Sequence, residues 1–293
     1  MADNLELKSY AKINLLLDVI GKYETGYHQV EMVMQTIDLY DKLSFSKIET
    51  GINISCSHPG VPLGAENLIY QAAELLLTEF DLSGGLQVKV EKRIPVAAGL
   101  AGGSSNAAAT LVAVNKLWGL DLSIAELESK AAELGADVPF CLAGGTQLAT
   151  GTGVELKKLD LNPKLNLVVV NPPFEVSTAE IYKNFALDKV EEHPQVSELL
   201  SALKEKNYPL ILANLENLLE LVAINRYPKI GEIKKIVAKK TDQVLMSGSG
   251  PTMLGFVESK SEAQIIAESL EQELEQNYQI YNVTTVNSGV EEI

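Results

Sequence analysis

Pro95-Val-Ala-Ala-Gly-Leu-Ala-Gly-Gly-Ser-Ser-Asn106 is the stretch that decides how this chain is read. Glycines at 99, 102 and 103 let a backbone bend around a bound anion, and a helix beginning just beyond them points unpaired N–H groups at it. Gln87 to Ile94 alternates as a strand that Pro95 ends, and Asn106 to Trp118 carries helical periodicity. The order strand, glycine loop, helix is the layout of a phosphate site. The stretch lacks the GK[ST] ending of a P-loop, the GxGxxG of a dinucleotide fold and the GxSxG of a nucleophile elbow. From the residues alone two meanings stand: a phosphate loop, or small residues that let a helix pack closely on a strand.

Working outward, Leu5 to Val19 and Val30 to Ile48 read as strands around a turn at Gly26, and residues 67–80 carry apolar side chains at helical spacing. A helix from Ser123 to Leu134 stops at Gly135, and strands follow through Gly145 to Leu159. Asn162-Pro163 marks a boundary, after which Leu165 to Val170 reads as a buried strand and Ser177-Thr178-Ala179-Glu180 as a capping box. Three helical patterns fill Pro194 to Lys240. The chain closes strand, strand, helix, strand at Gln243–Met246, Met253–Val257, Glu262–Gln276 and Tyr278–Val286, which predicts an antiparallel sheet with helices on one side. With 293 residues, two α+β domains are expected, residues 1–160 and 161–293.

A net charge of −15 has the wrong sign for a general nucleic-acid or anionic-membrane binder, so an anionic ligand has to be held locally. Arginine occurs only at 93 and 226, which leaves backbone N–H groups and lysine to do that work. Cys56 and Cys141 have no CxxC spacing, the amino terminus lacks the basic and apolar regions of a secretory signal, and no apolar run approaches a bilayer-spanning length. A reducing cytoplasm is the expected home. Histidines at 28, 58 and 193, with no HExxH or paired Cys/His, argue against a dedicated transition-metal site but not against loosely held magnesium.

In context the loop resembles the ATP motif of the galactokinase, homoserine kinase, mevalonate kinase and phosphomevalonate kinase (GHMP) superfamily, with alanine at 98 and 101 where glycine is commoner. Ala11-Lys12-Ile13-Asn14-Leu15, Gly26-Tyr27-His28 and Met34-Gln35-Thr36-Ile37-Asp38-Leu39 resemble one family within it, the 4-diphosphocytidyl-2-C-methyl-D-erythritol kinases. Gly135-Ala136-Asp137-Val138-Pro139 is similar to the segment carrying the superfamily's catalytic aspartate, and Met246-Ser-Gly-Ser-Gly-Pro-Thr252 to its carboxy-terminal glycine motif. The resemblance thus runs from Lys12 to Thr252 in family order. It implies a two-domain GHMP kinase fold, with a ribosomal protein S5 domain 2-like amino-terminal half and a ferredoxin-like carboxy-terminal half. It also implies an ATP- and Mg²⁺-dependent small-molecule kinase of isoprenoid precursor biosynthesis, acting on the 2-hydroxyl of a substrate that carries a cytidine diphosphate group.

By the same resemblance Asp137 is the base and Lys12 its partner, and Asn14 orients the substrate from the same strand face. Tyr27 and His28 recognise the cytosine, Tyr182 covers it from the other side, and Thr178 is a nearby contact. Asn67 and Lys92 fall near the adenine. Pro95, Gly99, Leu100, Ala101, Gly102, Gly103, Ser104 and Ser105 form the phosphate loop, with Gly248 and Ser249 in the supporting turn. Ser104 or Ser105 is the candidate metal ligand, and Asn106 stands where some members carry Asp. Read singly, these residues have plainer meanings: an Asp after Gly is commonly a cap, a strand lysine commonly faces solvent, and Tyr182 would be a helix-face core residue. A kinase for another small alcohol and a nucleotide-binding protein without turnover are the alternatives.

Overall fold

The structure is a computed structural model and describes residues 4–293. Two long strands, β1 (Asn4–Lys22) and β2 (His28–Ile48), form an antiparallel ribbon joined by a turn, and β3 (Ile52–Cys56) follows. Helix α1 (Leu68–Glu79) leads to β4 (Gly85–Glu91), then α2 (Gly102–Trp118), α3 (Ile124–Leu134) and α4 (Val138–Ala143), and the hairpin β5 (Thr146–Thr150) and β6 (Glu155–Leu159). The sheet order is β12-β1-β2-β4-β3, with β5 and β6 continuing from the far half of β2.

The second half begins with β7 (Asn166–Asn171) and passes through α5 (Thr178–Lys183), α6 (Val196–Glu205), α7 (Tyr208–Ala213), β8 (Glu216–Asn217), α8 (Leu219–Arg226) and α9 (Pro228–Val237). It closes with β9 (Gln243–Met246), β10 (Met253–Val257), α10 (Lys260–Glu273), β11 (Gln279–Thr284) and β12 (Val290–Glu292). Strands β11-β7-β10-β9 form an all-antiparallel sheet in the split βαβ order of a ferredoxin-like fold. Two later strands leave that half: β12 pairs with Leu7–Ser9 and β8 lies parallel to Leu16–Leu17, covering the free edge of β1. A division at residue 160 therefore separates the sheets but not these two segments, which the sequence reading did not predict.

Along β1 burial alternates up to Lys8 and is then continuous from Ser9 to Val19. That change marks where the ribbon becomes covered on both faces, since Ile13, Leu15 and Leu16 belong to a core shared with Leu167, Val169, Leu254 and Phe256 of the second sheet. Ala107, Ala108 and Ala109 of α2 are fully buried in the other core, their small side chains letting the helix lie close on the sheet. Register breaks between Tyr10 and Lys12: Tyr10 faces Tyr40, but Lys12 faces Thr36. The extra residues bulge out of β2 toward the second sheet, where Asp38 accepts from the Thr284 N–H at 2.8 Å. The Lys12 N–H turns instead to the Leu100 carbonyl, 3.1 Å away, tying the bulge to the glycine loop.

Three expectations need correction. Helix α2 starts at Gly102 rather than Asn106, because Ala101 adopts a left-handed φ of 55° and turns the chain so that the two glycines form its first turn. Residues 194–240 hold four helices with β8 between them, where periodicity resolved three patterns. At α5 only half of the capping box forms: Ser177 accepts from the Glu180 N–H at 3.3 Å, but the Glu180 carboxylate is taken by Arg226 and by the Tyr227 hydroxyl at 2.8 Å. Both cysteines are free thiols. No helix among the described residues is long and apolar enough to cross a membrane.

Candidate active site

A cavity of about 590 Å³ opens between the two halves. One end is the glycine loop. Pro95, Ala98, Gly99, Ala101, Gly102 and Gly103 line it, whereas Leu100 does not and plugs into the core between the sheets, 1% exposed. The side chain of Leu100, expected in the phosphate loop, thus serves as an anchor, and its carbonyl accepts from the Lys12 N–H. Gly99 has φ 75°, and a Cβ there would lie 2.3 Å from the Ser247 carbonyl oxygen. That approach, with the Ser247 hydroxyl donating to the Gly99 carbonyl at 3.0 Å, locks the loop to the turn Ser247–Gly250. Ala97 and Ala101 hold left-handed φ values of 52° and 55°, a conformation costing roughly 1–2 kcal/mol for a residue with a Cβ. Alanine at 101 is therefore accommodated without losing the loop's shape.

Of the two candidate metal-ligand serines, Ser105 is fully buried and donates to the Tyr10 carbonyl at 2.7 Å, away from the cavity. Ser104, one residue earlier in the first turn of α2, is half-buried. Asn67 lines the cavity, but its side chain is largely committed: Oδ1 caps α1 by accepting from the Ile69 N–H at 2.8 Å and Nδ2 donates to the Pro62 carbonyl. Lys92 lines the floor with its ammonium 2.5 Å from a carboxylate oxygen of Asp41, a fully buried residue that sequence reasoning missed.

Lys12, Asn14 and Asp137 meet beyond the loop. The Lys12 ammonium, buried by β1's two-sided cover, donates to Asn14 Oδ1 at 3.0 Å and stands 3.8 Å from Asp137 Oδ1. Asn14 Nδ2 points at the Met32 sulfur, 3.3 Å away, so both ends of its amide are oriented. Asp137 sits at the N-cap position of α4 but makes no side-chain cap, leaving a partly exposed carboxylate facing the cavity. Between Gly135 and the strands that begin near Gly145 the chain forms this helix, with Val138, Phe140 and Cys141 buried beneath the aspartate.

Tyr182 and Thr178 of α5 close the far side. The Thr178 hydroxyl shares a 2.7 Å hydrogen bond with the Ser249 hydroxyl, joining this side to the glycine turn. Burial, and next the Asp137 carboxylate, push the Tyr182 phenol up to about 12, so it stays protonated. Its ring leans on His28, centroids 5.2 Å apart and planes tilted by 35°. Burial, then Lys22, hold the His28 imidazole below its ordinary value. Tyr27 stands 69% exposed at the hairpin, and neither it nor His28 lines the cavity. Thus Lys12, Asn14, Asp137, Thr178 and Tyr182 share one cleft with the glycine loop, Gly248 and Ser249, while the predicted base-recognising pair waits at its margin.

Residues 67–145 match the family model of the GHMP kinases N terminal domain and residues 199–276 that of the GHMP kinases C terminal domain. A 4-diphosphocytidyl-2-C-methyl-D-erythritol kinase of Clostridium botulinum (strain Eklund 17B / Type B) is 46% identical over 92% of this chain and 96% of its own. The chain belongs to this kinase family. A Bacillus pumilus (strain SAFR-032) member is 44% identical over 96% of this chain and 98% of its own. The crystal structure of a 4-(cytidine 5'-diphospho)-2C-methyl-D-erythritol kinase superposes with a TM-score of 0.83 at 33% identity, covering 96% of this chain and 99% of that one. A homoserine kinase from Cytophaga hutchinsonii, 20% identical with a TM-score of 0.79, shares the fold. The chain is accordingly a kinase on a GHMP fold, as the glycine loop and its flanking motifs lead one to expect.

Proposed function

We propose that this kinase transfers the γ-phosphoryl group of ATP to the 2-hydroxyl of 4-diphosphocytidyl-2-C-methyl-D-erythritol, in the cytoplasm, in the cleft between residues 1–160 and 161–293. The observation carrying the reading is the Lys12–Asp137 pair, 3.8 Å apart, opposite a loop shaped to offer N–H groups to phosphate. Asp137 takes the proton of the acceptor hydroxyl as its oxygen bonds to the γ-phosphorus and the bond to the ADP oxygen breaks. Lys12 stabilises charge on the acceptor oxygen; Asn14 holds the acceptor carbon's neighbours in line.

Magnesium fits this site as a cation brought in on the nucleotide. The described residues contain no cluster of three or more His, Cys, Asp or Glu side chains, and the Asp137 carboxylate, which lines the cavity where Ser104 does not, is the oxygen that would help hold the ion beside phosphates and water. When bound it neutralises charge on the transferring phosphoryl group. At the other end, Tyr182 and Tyr27 stack on the cytosine and His28 hydrogen-bonds to its edge. The rival small-alcohol kinase and the turnover-free nucleotide binder are not favoured, given the named relatives and the intact Lys12–Asp137 pair. An ADP-release assay with ATP, magnesium and a panel of alcohols tests the reading. Turnover is expected with the cytidylyl erythritol, with competition by CMP and weaker competition by UMP; preference for an alcohol lacking the nucleotide would reject it.

A further inference from the structure

Asp41 is an acidic side chain with no exposed surface, and the catalytic scheme above does not use it. Its Oδ1 accepts from the Arg93 N–H at 2.6 Å and the Ile94 N–H at 2.8 Å. Its Oδ2 accepts from the Lys92 ammonium at 2.5 Å and from Asn106 Nδ2 at 2.9 Å. Asn106 Nδ2 also reaches the hydroxyl of Ser9, which lies across from Asp41 in the β1–β2 ladder. A carboxylate removed from water is tolerated only when its lone pairs are filled, and here four donors meet the four available sites.

The position of those donors matters more than their number. Arg93 and Ile94 are the last residues before Pro95 opens the glycine loop, and Asn106 lies in the second turn of the helix that closes it. One carboxylate therefore ties both stems of the loop together. The ammonium it holds lies 2.7 Å from where a Cβ on Gly102 would be, directly behind the helix start that faces the nucleotide. Lys92 spends one N–H on Asp41; its others have no protein acceptor among the described residues, and it lines the cavity. Asp41 itself does not line it.

We propose that Asp41 is the positioning residue of the nucleotide end, presetting the Lys92 ammonium and the spacing of the two loop stems so that ATP meets donors already in place. The inference rests on the cavity being the ATP site. Ordering a lysine at the moment of binding costs affinity, and a carboxylate that orders it beforehand removes that cost. Because Asp41 acts through Lys92, its loss should weaken nucleotide binding and leave binding of the phosphoryl acceptor alone.

Asp41→Asn separates the two halves of the role. Its oxygen can keep the Arg93 and Ile94 bonds, while its NH₂ is turned against the Lys92 ammonium and the Asn106 amide. Nucleotide affinity by calorimetry with ADP, kcat and both KM values would be measured for Asp41→Asn, Lys92→Met and the double variant, with Tm for each. Asp41→Asn is expected to weaken ADP and raise the KM for ATP by at least ~10-fold, the scale of a lost charged hydrogen bond, with the acceptor KM within about twofold of wild type. In the Lys92→Met background the same change should add only about 3-fold, the share of the Asn106 tie, since the ammonium it mainly acts through is gone. Additive losses, or equal effects on both KM values, would overturn the proposal and make Asp41 a general brace. Should Asp41→Asn fail to fold, Asn106→Leu removes one donor and leaves the Lys92 pair; it must weaken ADP by about 3-fold or more without moving the acceptor KM, or the proposal fails. Wild-type protein that does not bind ADP would instead reject the assignment of the cavity.

Discussion

The two ends of the cleft are built on opposite plans. At the glycine loop the main chain is fixed: Leu100 sits in the core, Gly99 is locked against Ser247, and Asp41 grips both stems. At the other end Tyr27 stands 69% exposed on a hairpin, and His28 meets the second half at the rings of Tyr182 and Phe185. Phosphate is recognised by backbone N–H groups whose directions must be set beforehand, because main chain has little freedom to adjust once folded. A base is recognised by flat side chains, which can close on it with a few rotamer changes. If the proposed function holds, the difference teaches that the fixing of each end follows the chemistry of the ligand part it would receive.

The largest effect should come where the ends meet. Asp137→Asn should reduce turnover by at least ~10²-fold, the lower range for a positioned general base, while ADP affinity by calorimetry stays near wild type. Wild-type turnover in that variant would remove the aspartate from the chemistry and leave the two ends without a reacting centre between them.

At the aromatic end, Tyr182→Ala should raise the KM for the cytidylyl substrate by roughly 5- to 150-fold, equivalent to about 1–3 kcal/mol of stacking, with a smaller change in kcat. Tyr182→Phe should behave like wild type, since the ring and not the hydroxyl does the stacking. If the phenylalanine variant is equally impaired, the contrast between side-chain stacking here and backbone recognition at the loop does not hold.

At the rigid end, Gly99→Ala forces a Cβ against the Ser247 carbonyl oxygen in a left-handed conformation, so the two loops must part. A loss of roughly 1–3 kcal/mol in stability and about tenfold weaker ADP binding are expected, from Tm and calorimetry. Gly103→Ala, with nothing nearer than 3.9 Å to the new Cβ, should hold or raise Tm, as alanine favours the helix that begins there.

The smallest effect is one of pH. His28 has its folded-state pKa lowered from 6.5 by burial and then by Lys22, so below about that pH the unfolded chain takes up a proton before the folded one does. Stability present above pH 6.5 is lost as the pH falls through the unfolded value toward the folded one. Urea midpoints at several pH values should show a gentler decline for His28→Asn than for wild type; equal declines would separate His28 from the acid response.

How much of this was written in the chain differs from element to element. Helix α3 with its Ser123 cap, strand β7 and the closing strand-strand-helix-strand of the second half follow local periodicity and capping, so their residues announce them. The first turn of α2 does not, because Gly-Gly-Ser-Ser is a poor helix start by propensity and forms one only through the turn at Ala101. Strands β8 and β12 are two and three residues long and exist because β1 has an edge to cover.

The same division runs through the site. Sequence alone named the groups proposed for the reaction, since Lys12, Asn14, Asp137 and the glycines carry their chemistry and their family pattern in the residues themselves. Tertiary structure alone decided which neighbours hold them. Asp41 looks like any strand aspartate until folding brings Lys92, Arg93, Ile94 and Asn106 around it from as far as 65 residues away. Leu100 and Ser105 look like loop ligands until the second sheet and Tyr10 claim them. A covalent sequence fixes the functional groups that are available, but the direction of a hydrogen bond depends on where segments remote in the chain come to rest, and that is set by packing rather than by any local pattern.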